Sequence, residues 1–236
     1  MPLPSLNEEV SFHKVPLPSG KNLGIKAWKV KHEKELLFAT EGSDDREFVL
    51  NEMLAFLKKN VQDVQLFDSL SETDLMVVGS EMRKMSKGAS VEYSFKCSHC
   101  GYQNEDVVNL NEDVIVKKFD GTPHKIRENL VVTFKEVPQS IRADIEKSTE
   151  KLTEYNWYFL VNSIESITKD GVSYTTFTIA EMEEFIDELS SAELAELFKV
   201  LLERGADVKI QAEPTCLKCN KPNSVVFTDP LGFFVL

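Results

Sequence analysis

Between Ser90 and Lys96 apolar and polar residues alternate, with Val91, Tyr93 and Phe95 on one face, and a period of two predicts a β-strand. Upstream the period is helical. Phe48, Met53, Leu54 and Leu57 fall at buried-face spacings in a helix expected over 43–60, with Ser43 as N-cap and Asp44, Asp45 and Glu47 in the first turn. A strand over 23–30 and a shorter helix over 33–39 are expected before it. Ser71-Glu72-Thr73-Asp74 opens a further helix that runs to Gly88, with Leu75, Val78, Met82 and Met85 on one core-facing stripe. The first 22 residues are Pro-rich, carry Pro-Leu-Pro-Ser at Pro2 and again at Pro16, and read as an extended arm.

Beyond Lys96, the runs 107–110, 114–119 and 130–137 read as an antiparallel group with Asp120-Gly121 as a turn signal. Pro138 starts a helix expected to reach Ile164. Its segment 155–161 is apolar nearly all round, the mark of burial on several sides or of cover by a partner. Thr178 with Glu181 and Ser190 with Glu193 have capping-box spacing, and the second of these helices carries Leu194, Leu197, Phe198, Leu201 and Leu202 before stopping at Gly205. A strand over 207–212 comes next. The chain thus reads as an α+β protein: an arm over 1–22, a helical region over 23–89, an α+β region over 90–228 and an apolar tail over 229–236.

The two ends of the third region carry the chain's candidate chemistry. Its four cysteines form two Cys-x-x-Cys pairs, Cys97/Cys100 and Cys216/Cys219, with 115 residues between the pairs. A two-residue spacer lets one tight turn aim both sulfurs at one metal, and four thiolates complete a tetrahedral zinc site. Gly101 and Asn220 come directly after the second cysteine of each pair, where a knuckle turn needs positive φ. One zinc per chain, shared by two knuckles, is therefore expected, with strands and helices inserted over 101–215. Lys96, Lys218 and Lys221 partly offset the formal charge of −2 on such a centre. Closing a loop of this length restricts the unfolded chain by roughly 4–5 kcal/mol on a cross-link entropy model. Disulfides would require an oxidising compartment, and Met1 to Glu9 has neither the basic nor the apolar stretch of a secretory signal. A thioredoxin-type pair would open a helix, and covalent haem attachment needs a His directly after the pair; neither pattern is present. Four reduced thiols paired by chance are the remaining alternative.

Charge narrows the function classes. A net charge of −12 argues against general binding of phosphate backbones, and the basic run Lys117, Lys118, His124, Lys125 and Arg127 reads as a solvated hairpin. No stretch approaches the ~20 apolar residues that span a bilayer. No phosphate loop, zinc-protease motif or nucleophile elbow occurs, and a four-thiolate zinc has no open position for water, so an enzyme is not expected. His99, inside the first pair, reads as a knuckle residue facing solvent rather than a ligand. A nucleic-acid-binding zinc ribbon is the alternative to a structural protein; it fits the metal but not the acidic surface. The C-terminal run with Leu231, Phe233 and Phe234 is the candidate docking surface, or else a last core strand.

Several segments in order resemble the baseplate hub protein family of T-even-like tailed phages. They are Val15-Pro16-Leu17-Pro18-Ser19-Gly20-Lys21, then His32-Glu33-Lys34-Glu35-Leu36-Leu37, then Asp74-Leu75 through Arg83-Lys84-Met85-Ser86-Lys87-Gly88, and the second Cys pair near the C-terminus. The likeness covers about residues 12 to 220. It implies a hub subunit or hub-assembly factor that binds other hub proteins, takes no small-molecule substrate, and works in the host cytoplasm during assembly or in the tail baseplate.

Overall fold

The computed structural model describes residues 11–227. The tail residues Leu231, Phe233 and Phe234, and the start of the expected arm, lie outside them. The rest of the expected arm is a hairpin: β1 (His13–Pro16) pairs antiparallel with β2 (Asn22–Ile25), and Gly20 takes φ +84° in the turn. Val15, Leu17, Leu23 and Ile25 are buried, so this segment belongs to the core. The strand expected to reach Val30 stops at Ile25, and helix α1 (Val30–Thr40) begins where the strand was expected to end.

Helix α2 (Arg46–Lys58) is capped by Asp45, whose side chain accepts from Phe48 N at 3.1 Å; Ser43, the expected cap, instead accepts from Asp45 N at 3.3 Å in a local turn. A five-residue helix, α3 (Val64–Asp68), is too short to show in the periodicity. Helix α4 (Glu72–Lys87) starts at Ser71 as expected and ends at Gly88, which has φ +91°. Val78 and Met82 are fully buried on its stripe, while Met85 is 40% exposed. Three of the segments that carry the family resemblance meet here, since Lys87 Nζ of α4 also pairs with Glu33 Oε1 of α1 at 2.5 Å. Ser19 N donates to the buried Asp74 carboxylate at 3.0 Å, Trp28 N donates to Ser86 Oγ at 3.0 Å, and Arg83 Nη1 donates to Gly88 O at 3.1 Å. They fasten the N-terminal hairpin to α4 and close the end of that helix.

The remaining strands distribute over three sheets instead of one antiparallel group. β3 (Ser90–Lys96) and β4 (Gln103–Asn109) form a hairpin through the first knuckle. β5 (Val114–Lys117) skips β6 (His124–Arg127) and three further strands to pair with β10 (Asp207–Ala212), which also pairs with β11 (Val225–Phe227). The third sheet runs β6, β7 (Leu130–Phe134), β8 (Ile164–Lys169), β9 (Val172–Tyr174). No hairpin closes across Asp120-Gly121. Asp120 Oδ1 instead accepts from Thr122 N at 2.9 Å, and Asp120 N donates to Arg204 O at 3.0 Å. The basic run is likewise engaged within the molecule. Lys117 Nζ donates to Glu203 O at 2.6 Å, and the Arg127 guanidinium binds both carboxylate oxygens of Glu193 at 2.5 and 2.9 Å.

The long helix expected from Pro138 divides into α5 (Gln139–Ser148) and α6 (Leu152–Ser163). Ser148 Oγ and Thr149 Oγ1 both donate to Ile145 O, at 3.2 and 2.7 Å, and compete with the next helical N–H for that carbonyl. The β-branched run after Ser163 then joins the sheet as β8. Helices α6, α7 (Ile179–Asp187) and α8 (Ser191–Arg204) supply Leu160, Met182, Ile186 and Leu197 to a core closed by the inward residues Leu130, Val132 and Phe134 of β7. Leu152, at the start of α6, is 74% exposed. Both capping boxes form. Helix α8 ends at Gly205 without the left-handed turn, since Gly205 has φ −54°.

Glu193 is held at about 2, below its ordinary 4.5, by the Arg127 guanidinium first and then by the hydroxyl and N–H of Ser190. Its carboxylate therefore stabilises the folded state fully above pH 4.5 or so, and that stability is lost as pH falls through about 2. The parent is expected to melt above Glu193→Gln at neutral pH, with the gap closing between about pH 5 and 2; a gap independent of pH in thermal melts would overturn this.

Candidate metal centre

Two hairpin turns of one design carry the cysteines. In the first, Gly101 N donates to Cys97 O at 2.9 Å and Cys97 N to Tyr102 O at 2.9 Å; in the second, Asn220 N donates to Cys216 O at 2.9 Å and Cys216 N to Lys221 O at 3.0 Å. Gly101 has φ +70° and Asn220 φ +53°, the left-handed conformation expected of them. β3 and β10 each deliver the chain into a knuckle, and β4 and β11 carry it away. The knuckles face each other over a small core of Val91, Val108, Leu110, Ile210 and Ala212, with Tyr93 and Phe227 in edge contact at 5.0 Å between centroids.

All four sulfurs lie within 4.8 Å of one another. Cys97 Sγ is 3.8 Å from Cys219 Sγ, and Cys100 Sγ is 3.7 Å from Cys216 Sγ. Four sulfurs at the ~2.3 Å of a zinc–thiolate bond stand about 3.8 Å apart along each edge of a tetrahedron. The observed separations therefore fit a metal, and they are far beyond the ~2.05 Å of a disulfide; the cysteines are free thiols. Cys97 and Cys216 are buried, and Cys100 is exposed.

N–H groups converge on the sulfurs. Burial raises the Cys216 thiol, but the N–H groups of Cys219 and Lys218 and the neighbouring sulfurs outweigh it and bring it down to about 6. Burial also raises Cys97, and the N–H groups of Cys100 and His99 leave it lowered. At Cys100 the Tyr102 N–H lowers the thiol, but burial and the three other sulfurs prevail and raise it to about 11. A divalent ion would offset the negative charge that four thiolates bring together here. His99 is neither a ligand nor simply solvated: its Nε2 lies 3.3 Å from Pro222 O on the other knuckle. Lys218 Nζ sits 5.8 Å from the centre of the Tyr102 ring, a further contact between knuckles.

Sequence reasoning missed two residues of the centre, Asn104 and Asn223. Asn104 Oδ1 accepts from Leu217 N at 3.0 Å, and Asn223 Oδ1 accepts from Ser98 N at 3.0 Å. The signal was present, because each asparagine stands four residues after the second cysteine of its pair. The structure brings together Cys97, Cys100, Cys216 and Cys219; the tail residues Leu231, Phe233 and Phe234 lie outside the described residues.

A closed four-thiol cluster joining two hairpins 115 residues apart defines an α+β protein built around a candidate structural metal centre. The chain belongs to the T4 bacteriophage base plate protein family, whose model matches residues 10–235. No curated protein and no solved structure gives a significant match. Membership makes this a phage baseplate protein and implies interaction with other baseplate proteins, a place in the virion tail and a structural role. Among the described residues no helix is long and apolar enough to cross a membrane.

Proposed function

We propose that the protein is a structural or assembly component of the central hub of the baseplate, acting through contacts with other hub proteins. One zinc ion held by Cys97, Cys100, Cys216 and Cys219 is its internal staple. The observation that carries the reading is the cluster itself, two buried and two more accessible cysteines whose sulfurs lie within 4.8 Å of one another in a baseplate-family chain. A zinc filled by four thiolates holds structure and leaves no position for an activated water, so function resides in surfaces. The net charge of −12 disfavours nucleic acid as the partner. In this reading residues 90–228 are the stapled unit, 101–215 its insertion and 23–89 a helical region beside it. The protein assembles in the host cytoplasm.

The docking element we assign is the tail 229–236. No charged side chain comes after Asp229, and Phe233 and Phe234 are adjacent aromatics next to Leu231. Aromatic anchors at interfaces contribute about 2 kcal/mol or more each when truncated at a hot spot. The test is co-purification with hub proteins from infected cells, comparing the parent with Phe233→Ala/Phe234→Ala. The double variant is expected to stay folded, keep its metal and lose affinity for its partners by roughly 1,000-fold, on that hot-spot scale for two anchors. Unfolding of the variant would make the tail a core element, and unchanged assembly would place docking elsewhere.

A further inference from the structure

The two knuckles are copies of one eight-residue pattern. Cys97-Ser98-His99-Cys100-Gly101-Tyr102-Gln103-Asn104 and Cys216-Leu217-Lys218-Cys219-Asn220-Lys221-Pro222-Asn223 share Cys-x-x-Cys-x-x-x-Asn, and the positive-φ residue is the fifth in both. Each closing asparagine bonds the opposite knuckle. Asn104 Oδ1 accepts from Leu217 N at 3.0 Å, while its Nδ2 donates to Tyr102 O at 3.0 Å and to Cys216 Sγ at 3.7 Å. Asn223 Oδ1 accepts from Ser98 N and Ser98 Oγ, both at 3.0 Å, while its Nδ2 donates to Lys221 O at 3.1 Å and to Cys97 Sγ at 3.7 Å. The correspondence holds position by position. In each case the oxygen takes the N–H just after the first cysteine of the other knuckle. One amide hydrogen goes to the sixth carbonyl of its own knuckle, and the other goes to the first cysteine across the cluster.

We propose that Asn104 and Asn223 are a crossed pair of positioning residues for the metal centre, each holding the first cysteine of the opposite knuckle. The inference rests on the reading of the cluster as a metal centre. A carboxamide supplies an acceptor and two donors at once, and every one of them is used here. Aspartate has the same shape but offers no donor when ionised, and it adds negative charge beside four thiolates. Outer-shell donors of this kind orient the ligand and disperse its charge. Asn104 is 2% exposed and Asn223 is half-buried, so Asn104 contributes more.

The test uses full-length Asn104→Asp and Asn223→Asp. Both are expected to bind one zinc at saturation but to surrender it to a competing chelator with affinity lowered roughly 10–100-fold, the larger drop at Asn104. Limited alkylation with iodoacetamide, read by mass spectrometry, separates a crossed clamp from general loosening. Cys216 should react first in Asn104→Asp and Cys97 first in Asn223→Asp. Earlier reaction of the cysteines in the asparagine's own knuckle, or zinc affinities within about twofold of the parent, overturns the proposal. If Asn104→Asp is insoluble, Asn104→Ala and the half-buried Asn223→Asp decide by the same order of alkylation. A parent that purifies without metal and takes up none sinks the metal reading. The order of alkylation in that metal-free protein then judges the clamp alone, crossed order upholding it and uncrossed order overturning it.

Discussion

Removing the metal with a chelator is expected to unfold the β3–β4 hairpin while the two larger cores persist. Of the five buried residues in the knuckle core, Val91 and Val108 lie on β3 and β4, and at about 2 kcal/mol each they supply roughly 4 kcal/mol. Ordering the fourteen residues of β3 and β4 costs roughly 20 kcal/mol at 1–2 kcal/mol each. A structural zinc at the proposed site, worth about 10–16 kcal/mol in small domains at neutral pH, would offset most of that gap. The core around Met53, Leu57 and Met82 and the core around Phe134, Leu160 and Ile186 contain none of the four cysteines. Hydrogen exchange read by mass spectrometry should therefore show protection lost over 90–109 and retained over 53–57 and 160–164. Elemental analysis of the parent should give one zinc per chain. Cys216→Ser, which removes a buried sulfur, should reproduce the loss and lower the yield of soluble protein. A Cys216→Ser protein that exchanges like the parent would show that the cluster holds no structural metal.

Phe134→Ala is the second large effect, expected to destabilise the protein by about 3–5 kcal/mol. Phe134 is 1% exposed and is the largest fully buried side chain among the described residues. It closes the core between β7 and helices α6 to α8, where a cavity has little room to collapse. Its register also places it at the irregularity where Thr133 pairs with Ser166 and Phe134 with Ile164. Urea titration of the zinc-loaded protein measures the change, and zinc content should remain at one per chain. A loss below about 1 kcal/mol would mean that this core rearranges freely.

Local chemistry is legible in the chain wherever a residue's role depends on its near neighbours. The alternation of Val91, Tyr93 and Phe95 is β3, the capping boxes at Thr178 and Ser190 form, and α4 starts at Ser71 and ends at Gly88. Gly101 and Asn220 take positive φ because a Cys-x-x-Cys turn leaves no other conformation for that position. The family likeness is legible as an order of segments, and their contacts, Ser19 to Asp74 and Glu33 to Lys87, give that order a physical meaning.

Wherever two distant parts have to meet, the local pattern is silent. Periodicity shows that 114–117 is a strand but not that its partner is 207–210, because pairing is chosen by which apolar faces can be buried together. The Pro-rich segment reads as an arm since Val15 and Leu17 have no local pattern; they are buried in a core cluster shared with distant residues, among them Met53 and Leu57 of α2 and Val78 and Met82 of α4. The break between α5 and α6 turns on competition for the Ile145 carbonyl by two hydroxyls, a balance of small energies that the apolar pattern does not register. At the metal centre the division is the same. By itself the sequence determined the four sulfurs, their pairing into knuckles and the turn residues, because those depend on spacing along one short segment. Only the tertiary structure decided that β5 and β10 lie side by side, that the two knuckles therefore face each other, and that Asn104 and Asn223 reach across, because such contacts depend on the global packing that carries residues 104 and 217 to within a hydrogen bond.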